Sequence, residues 1–244
     1  MTARLGIATV GGMDPTGGAG LLRDAWTISR RAPELELLAV CTAVTRQGHG
    51  QPATYASANP DTLARELGRV ANYPRLRAVK LGMIPGDRVD QIAEFLAGLQ
   101  ARSPRPLVVC DPVIMATDGG RLGPSGRALL ELAARVDLLT PNVDEARELM
   151  KHGPLPSTTA VLFKGEAVED RPDRIRDRLY RASAGELVLE RPRVSGPDPR
   201  GTGCALASAI ASELARGRSL VTAVVAGVAW LDGARMFLQL PGEP

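Results

Sequence analysis

The sequence predicts an α/β fold in which helices cover both faces of a mostly parallel central sheet. Apolar runs of strand length alternate with amphipathic segments of helix length along the 244 residues, an order typical of consecutive βα units. The predicted strands are almost continuously apolar, as strands buried on both faces are. No internal repeat, low-complexity tract or long linker interrupts the alternation. We therefore expect a single domain over residues 1–244, with three α/β/α layers and no separate lid domain.

Seven segments are predicted as strands because each is a short aliphatic run between polar or turn residues. The segments LVVC and DLLT are too short and too apolar to have one exposed face. The predicted strands are Leu5–Val10, Leu37–Val44, Arg77–Leu81, Leu107–Cys110, Val136–Leu139, Thr159–Phe163 and Glu186–Glu190.

Seven longer segments between these strands have the spacing of apolar residues that amphipathic helices show. Several begin next to proline, asparagine, serine or glycine, which favour helix starts. The predicted helices are Gly18–Arg30, Pro60–Asn72, Asp87–Arg102, Pro124–Ala134, Val143–Lys151, Thr202–Arg216 and Ser219–Leu240.

The composition argues against several classes of function. The chain has 30 basic and 27 acidic residues, a net charge of +3, which is too mild to indicate nucleic-acid binding. Aromatic residues make up only 3%, so base-stacking surfaces are not expected. The apolar stretch Val221–Leu231 is far too short to cross a membrane. Three cysteines do not form a disulfide framework, so we expect a cytoplasmic protein.

The stretch Gly201-Thr202-Gly203-Cys204 opens an alanine-rich predicted helix. Glycines let a ligand approach the backbone, and the helix start adds free N–H donors, which together suit a transferred phosphoryl group. At this positive helix end the pKa of a thiol tends to fall, so Cys204 could act as a general base on a substrate hydroxyl. A tight turn with a small buried cysteine explains the same residues. Neither the P-loop nor the dinucleotide-binding fingerprint is present.

The stretch Asn142-Val143-Asp144-Glu145 follows the predicted fifth strand and has two open interpretations. Asn142 and Glu145 have the spacing of a capping box, which would make them structural. Alternatively, their oxygens could hold Mg²⁺ through water beside nucleotide phosphates. Asp111, at the end of the fourth strand, could supply another carboxylate to the same region.

The glycine-rich segment from Gly11 to Gly20 could be a substrate-covering loop, a tight βα turn or, least favoured because no basic residue follows before Arg23, a phosphate loop. Downstream, Asp24 and Gln47 carry groups suited to the amine and ring nitrogen of a heterocycle, although either alone could be a solvated polar residue. His49 and His152 lack companions at ligand spacing, so no metal is expected there. Cys41 and Cys110 are predicted to be buried in strands.

In this order, the motifs resemble those of the hydroxymethylpyrimidine/phosphomethylpyrimidine kinases of thiamine biosynthesis, within the ribokinase-like superfamily. The resemblance runs from about residue 5 to about residue 217. A cysteine at the fourth position of the last motif, where the wider superfamily has aspartate, is its most diagnostic feature. The matching stretches are GMDPTGGAG with Asp24, TAVTRQ, AVKLGM, VVCDPVIMA, LLTPNVDEA, LFKGE and GTGCALASAIASELARG.

The resemblance implies that ATP phosphorylates the hydroxymethyl group of the pyrimidine and then the resulting monophosphate. It implies catalysis by Cys204 as the base, with Gly201, Thr202 and Gly203 as the anion hole. It further implies Mg²⁺ as a cofactor and a homodimer as the assembly. The implied pyrimidine-binding residues are Asp24, Gln47, Gly12, Met83 and Val113, the nucleotide-binding residues are Lys164, Asn142 and Glu145, and the metal-binding residues are Asp111 and Glu145.

The departures from the family pattern all concern the nucleotide side. Glu166 places a carboxylate where phosphates are expected, and Thr117-Asp118 stand where the family has a lysine-containing loop. The chain between Lys151 and Thr158 is too short for the helix that the family usually has there. Two other functions therefore remain open, a pyridoxal or related vitamin-alcohol kinase and a pyrimidine-binding pseudokinase.

The chain has three lysines against twenty-seven arginines. A coding bias explains most of this imbalance. Lys80 and Lys164 nevertheless fall inside the resemblance motifs, and only Lys151 does not. Because a compact ammonium cannot simply be exchanged for a guanidinium beside phosphates, Lys164 is the lysine that we expect arginine not to replace.

Overall fold

The computed structural model of the chain describes residues 4–47, 52–116, 119–193 and 199–238. His49 and the pair Thr117-Asp118 lie outside these residues. Nine strands are present in the described part of the chain, and all of them join one sheet. They are β1 (Gly6–Met13), β2 (Glu36–Arg46), β3 (Thr54–Ser57), β4 (Leu76–Leu81), β5 (Leu107–Cys110), β6 (Leu138–Leu139), β7 (Ala160–Ala167), β8 (Arg174–Arg181) and β9 (Gly185–Pro192).

The sheet has the strand order β3-β2-β1-β4-β5-β6-β7-β8-β9. The six strands from β2 to β7 in that order are parallel to one another. The flanking strands β3, β8 and β9 pair antiparallel at the two edges. The predicted mostly parallel sheet is therefore confirmed. All the parallel strands end at the same edge, where ligands of such sheets bind.

Seven α-helices connect and cover the strands in the described residues. They lie close to the predicted positions, with differences at the ends. The last helix ends at Ala234 and is followed by a 3₁₀ turn, so it is shorter than predicted. The helices are α1 (Gly20–Arg31), α2 (Pro60–Ala71), α3 (Val89–Gln100), α4 (Gly126–Ala133), α5 (Val143–Met150), α6 (Thr202–Ala215) and α7 (Leu220–Ala234).

Two apolar cores, one on each face of the sheet, give the molecule its three layers. The first core contains buried side chains of α2, α3, α4 and α5, such as Leu67 and Leu96. The second contains side chains of α1, α6 and α7, such as Ile28 and Ile210. Successive residues of β1 contribute to opposite cores, because strand side chains alternate between faces. The three-layer α/β/α fold is thus confirmed; a single domain over residues 1–244 stays a prediction.

Two strands are absent from the sequence prediction, β3 and β8. The sequence of β8 is RIRDRLYR, in which arginines alternate with buried Ile175, Asp177 and Leu179. Three of the four arginines pair with glutamates on neighbouring strands, for example Arg178 with Glu166. A search for continuous apolar runs misses such a strand, because its period-two pattern is carried by charged residues.

Other expectations have mixed outcomes. Residues 151–159 form a turn and loop from α5 to β7 without a helix, as expected from the short chain there. The three cysteines are free thiols; Cys110 is buried as predicted, but Cys41 is only partly buried. No helix in the described residues is long and apolar enough to span a membrane.

Candidate active site

A cavity of about 560 Å³ opens at the carboxyl ends of the parallel strands, a volume typical of small-ligand sites. Loops after six of the strands and the start of α6 contribute to it. It brings together every site residue that the sequence predicts. Those residues are Gly12, Asp24, Gln47, Met83, Asp111, Val113, Asn142, Glu145, Lys164, Gly201, Thr202, Gly203 and Cys204.

The predicted anion cradle lies at the start of α6. Gly201 is the N-cap residue and has a φ of 76°, a left-handed conformation that favours glycine. A Cβ at this position would collide with the carbonyl oxygen of Gly18. A Cβ on Gly203 would lie 3.0 Å from the Lys164 Nζ and 3.2 Å from the Asp111 Oδ2. The two glycines therefore let the neighbouring loop and the Lys164 ammonium approach the free N–H groups of the helix start.

Cys204 lies in the first turn of α6 and is 9% exposed. The expectation that its pKa falls at the helix start is wrong. Burial raises the pKa of the Cys204 thiol to about 11, and the Lys80 ammonium offsets only part of that rise. Burial outweighs the helix end because a thiolate loses its solvation there. Cys204 is therefore a protonated thiol at neutral pH in the absence of ligands.

This protonation state predicts slow alkylation of Cys204. At pH 7.5 a thiol of pKa 11 has about two to three powers of ten less thiolate than an ordinary cysteine. Burial also raises the pKa of Cys41, but its thiol is partly exposed. We therefore expect iodoacetamide to label Cys41 before Cys204, and the Cys204 rate to rise with pH through pH 9. Peptide mapping by mass spectrometry measures both rates. Labelling of Cys204 at least as fast as Cys41 would contradict this pKa.

Beneath the cradle lies a buried ion pair between Lys80 of β4 and Asp24 of α1. The Lys80 Nζ is 2.9 Å from the Asp24 Oδ2, and both side chains are almost fully buried. The Ser208 hydroxyl, one helical turn after Cys204, donates to the Asp24 Oδ1 at 2.8 Å. Burial lowers the pKa of Lys80, but Asp24 and the other acidic neighbours outweigh burial and hold it above its usual range. Lys80 is therefore a permanent buried cation.

These contacts bear on the predicted role of Asp24. Asp24 lines the cavity, but both of its carboxylate oxygens already have buried partners in Lys80 and Ser208. The carboxylate therefore positions the Lys80 ammonium. A contact between Asp24 and a pyrimidine stays a prediction. Each carboxylate oxygen of Asp24 already has a protein partner.

A second ion pair joins Lys164 of β7 to Asp111, the residue after β5. The Lys164 Nζ donates to the Asp111 Oδ1 at 2.6 Å, and Thr140 donates to the same oxygen at 3.3 Å. Burial works to raise the pKa of Asp111, but Lys164 and Lys80 outweigh it and hold that pKa below its usual value. Asp111 is therefore ionised, as a cation ligand must be.

Asn142 and Glu145 form the capping box of α5. The Glu145 backbone N–H donates to the Asn142 Oδ1 at 2.9 Å, and the Asn142 backbone N–H donates to the Glu145 Oε2 at 2.8 Å. Both residues also line the cavity. Burial raises the pKa of Glu145 to about 7, against the attraction of Lys164. The capping-box interpretation is therefore confirmed. The Mg²⁺ contact of Glu145 stays a prediction, and Oε1 is the carboxylate oxygen that lies outside the capping hydrogen bond.

Glu166 does not face the cavity, although the sequence places it where nucleotide phosphates are expected. Both of its oxygens accept from Arg178 of β8, at 2.7 and 2.6 Å. Glu166 is also absent from the described residues that line the cavity. The expectation that it faces phosphates is therefore wrong, because a strand that the sequence analysis misses supplies its partner.

A family model described as phosphomethylpyrimidine kinase matches residues 14–237 of the chain. The chain belongs to the phosphomethylpyrimidine kinase family. Among curated family members it is 32% identical to the hydroxymethylpyrimidine/phosphomethylpyrimidine kinase of Salmonella typhimurium, over 95% of this chain and 91% of that enzyme. It is 31% identical to the thiamine biosynthesis multifunctional protein ThiED of Corynebacterium efficiens, of which it spans only 32%.

Solved structures agree with this membership of the phosphomethylpyrimidine kinase family. The phosphomethylpyrimidine kinase of Clostridium difficile has a TM-score of 0.73 and 25% identity, with 95% of this chain and 99% of that chain covered. A pyridoxal kinase of Bacillus subtilis, solved as an ADP complex, has a TM-score of 0.78 at 22% identity, with 95% and 92% covered. The second similarity shows a shared ribokinase-like fold.

Three groups in this family member's cavity region escaped the sequence prediction. Thr45 lines the cavity beside Gln47, and Arg200 binds Gln47 and Asp14. Arg191 lines the far end of the cavity and is held by Asp177 and Asp232. Arg200 directly precedes the Gly201–Cys204 motif, and this position in the sequence could have indicated that it lies near the cavity. No such indication exists in the sequence for Arg191, because its partners come from β8 and α7.

Proposed function

We propose that the chain transfers the γ-phosphate of ATP to the hydroxymethyl oxygen of 4-amino-5-hydroxymethyl-2-methylpyrimidine, and then phosphorylates the monophosphate, in thiamine biosynthesis. The observation that carries this proposal is the meeting of two half-sites in one cavity. One half has the small apolar wall of Met83 and Val113 with the Gln47 amide. The other half has Cys204, Lys164 and the start of α6.

The nucleotide half suits an ATP triphosphate. The N–H groups of Gly201 to Gly203 and the ammonium of Lys164 supply positive potential where charge develops on the transferred group. Asp111 and Glu145 offer oxygen ligands beside them. A nucleotide-bound Mg²⁺ takes one or two carboxylates, phosphates and waters, and these two side chains would supply the carboxylates. When bound, Mg²⁺ would neutralise phosphate charge.

In the proposed transfer, the hydroxymethyl oxygen forms a bond to the γ-phosphorus as the bond to the β-bridging oxygen breaks. The hydroxyl proton passes to the Cys204 sulfur, and the reacting form is the thiolate, the small fraction of Cys204 that has lost its proton to solvent when the pKa of the thiol is about 11. The fixed charge of Lys80 favours that thiolate. Gln47, Met83 and Val113 hold the ring so that the hydroxymethyl group faces the cradle.

The test is a coupled assay of ADP release with Mg²⁺ and a panel of alcohols. We expect turnover with the hydroxymethylpyrimidine and its monophosphate, and a lower kcat/KM with pyridoxal. Absence of turnover with either pyrimidine, in folded protein, would contradict the proposal. Pyrimidine binding by calorimetry without ATP binding would instead indicate a pseudokinase. The pairing of Glu166 with Arg178 removes one of the arguments for a pseudokinase.

Lys164→Arg is expected to raise the KM for ATP about tenfold and leave the KM for the pyrimidine nearly unchanged. The Lys164 ammonium lies between Asp111 and Gly203, and a planar guanidinium does not reproduce the contacts of a compact ammonium. Lys151→Arg is the matched control, because Lys151 is an exposed partner of Glu148. Steady-state kinetics at varied ATP measure the effect. An unchanged KM for ATP in Lys164→Arg would remove Lys164 from the nucleotide site.

We also propose that the chain forms a homodimer, as its family resemblance implies. Light scattering coupled to size-exclusion chromatography gives the mass directly. A mass of one chain across micromolar concentrations would contradict it.

A further inference from the structure

Arg200 forms a bridge between two loops at the pyrimidine half of the cavity. Its NH2 group is 3.0 Å from the Oδ2 of Asp14, which is fully buried, and 3.3 Å from the Oε1 of Gln47. Thr16 binds the same Asp14 carboxylate through its backbone N–H and its hydroxyl. The buried Asp14 carboxylate therefore holds the guanidinium in place. This fixes the position from which Arg200 donates to Gln47.

The hydrogen bonds of the Gln47 amide run in one direction. The Gln47 Nε2 donates to the Thr45 Oγ1 at 2.7 Å, and the Thr45 hydroxyl donates to the carbonyl oxygen of Met13 at 3.3 Å. A guanidinium can only donate and a carbonyl can only accept. Both ends of the series therefore require the amide oxygen to face Arg200 and the amide nitrogen to face Thr45.

This orientation decides what the Gln47 amide offers to a ligand. Within the described residues, one lone pair of Oε1 and one N–H of Nε2 have no hydrogen-bond partner, and Gln47 lines the cavity. An adjacent acceptor and donor match an amino group beside a ring nitrogen, as glutamine and asparagine match the edge of adenine. A 4-oxo ring presents the opposite pair, a carbonyl beside a ring N–H. Binding that ring requires a flipped amide whose NH₂ would meet the guanidinium.

We propose that Arg200 is a specificity-determining residue, one that makes the site select a 4-aminopyrimidine over its 4-oxo analogue by fixing the amide of Gln47. This inference rests on the proposed function. Arg200 is not among the described residues that line the cavity, so it acts through Gln47 as a positioning residue.

The test compares kcat/KM for 5-hydroxymethyl-2-methylpyrimidine carrying a 4-amino or a 4-oxo group. We expect the wild type to prefer the amino compound strongly. Arg200→Met keeps the aliphatic stem and removes the donors, so the amide can turn. The amino-to-oxo ratio is expected to fall about tenfold or more, with kcat/KM for the oxo compound rising. Thr45→Val, which frees the other end of the amide, is expected to lower the same ratio.

Arg216→Met is the matched control, because Arg216 binds Glu34 and Glu213 at the opposite end of α6. The amino-to-oxo ratio of kcat/KM in Arg216→Met should equal that of the wild type. An equal fall for both pyrimidines in Arg200→Met and Thr45→Val would overturn the inference, since loss of loop stability alone affects both compounds alike.

Calorimetry without ATP separates this inference from the proposed function. If the wild type binds the amino compound but does not phosphorylate it, the proposed function fails, and the ratio of the two dissociation constants still tests Arg200. If the wild type phosphorylates both compounds equally, the inference fails and the proposed function stands. Binding of neither pyrimidine overturns both.

Discussion

Replacing Cys204 by alanine is expected to lower kcat by about 10²–10⁴-fold, the usual contribution of a general base. The KM for the pyrimidine should change far less, because the proposed contacts with the ring are those of Gln47, Met83 and Val113 and not that of the sulfur. The helix should tolerate the change, since alanines follow directly at Ala205 and Ala207 in the same buried turn. Steady-state and single-turnover kinetics measure the effect, and circular dichroism confirms that the fold is retained.

Cys41→Ala is the matched control for this substitution. Cys41 lies on β2, is partly buried, and donates to the carbonyl oxygen of Ala43. We expect its removal to leave kcat within about twofold of the wild type, as for a thiol outside the reacting groups. An equal loss of kcat in Cys41→Ala and Cys204→Ala would show that thiol removal acts through stability, and the assignment of Cys204 as the base would fail.

Lys80→Met is expected to destabilise the protein by about 3–5 kcal/mol, the cost of leaving a buried charge without its partner. Methionine fills much of the lysine stem, so the effect comes mainly from the Asp24 carboxylate. That carboxylate is fully buried and would keep only the Ser208 hydroxyl as a donor. Urea unfolding followed by fluorescence or circular dichroism gives the change in the free energy of unfolding.

Two further variants separate the charge from the packing at Lys80. Lys151→Met removes an exposed lysine paired with Glu148 and should cost less than about 1 kcal/mol. In a Lys80→Met background, Asp24→Asn should recover part of the lost stability, because it removes the unpaired charge. A Lys80→Met variant as stable as the wild type would show that the ion pair contributes nothing net to the fold.

The general architecture could be predicted from the sequence because it depends on local patterns. Short aliphatic runs such as LVVC between turn residues favour strands, and the spacing in α2 or α6 suits a helix before any packing. The same is true of the capping box at Asn142 and Glu145, which needs only four consecutive residues. The strand β8 escaped because its arginines find glutamate partners only after β7, β8 and β9 pair.

The site was predictable in its membership but not in its electrostatics. Residues at the ends of parallel strands meet at one edge, so the order of motifs placed Gly12, Asp111, Lys164 and Cys204 together. Sequence position could not show that burial would raise the pKa of Cys204 to about 11. It also gave no reason to pair Asp24 with Lys80, two residues from different layers.

By itself the sequence determined the three-layer fold, the family and those cavity residues that belong to its motifs, because periodicity and short motifs are properties of neighbouring residues. Only the tertiary structure decided the partners of the charged and polar side chains in and around the cavity. Glu166 belongs to Arg178, Asp24 to Lys80, and Gln47 is oriented by Arg200, which is 153 positions away in the chain. Burial and pairing depend on segments distant in sequence, and they set which groups remain available for a ligand.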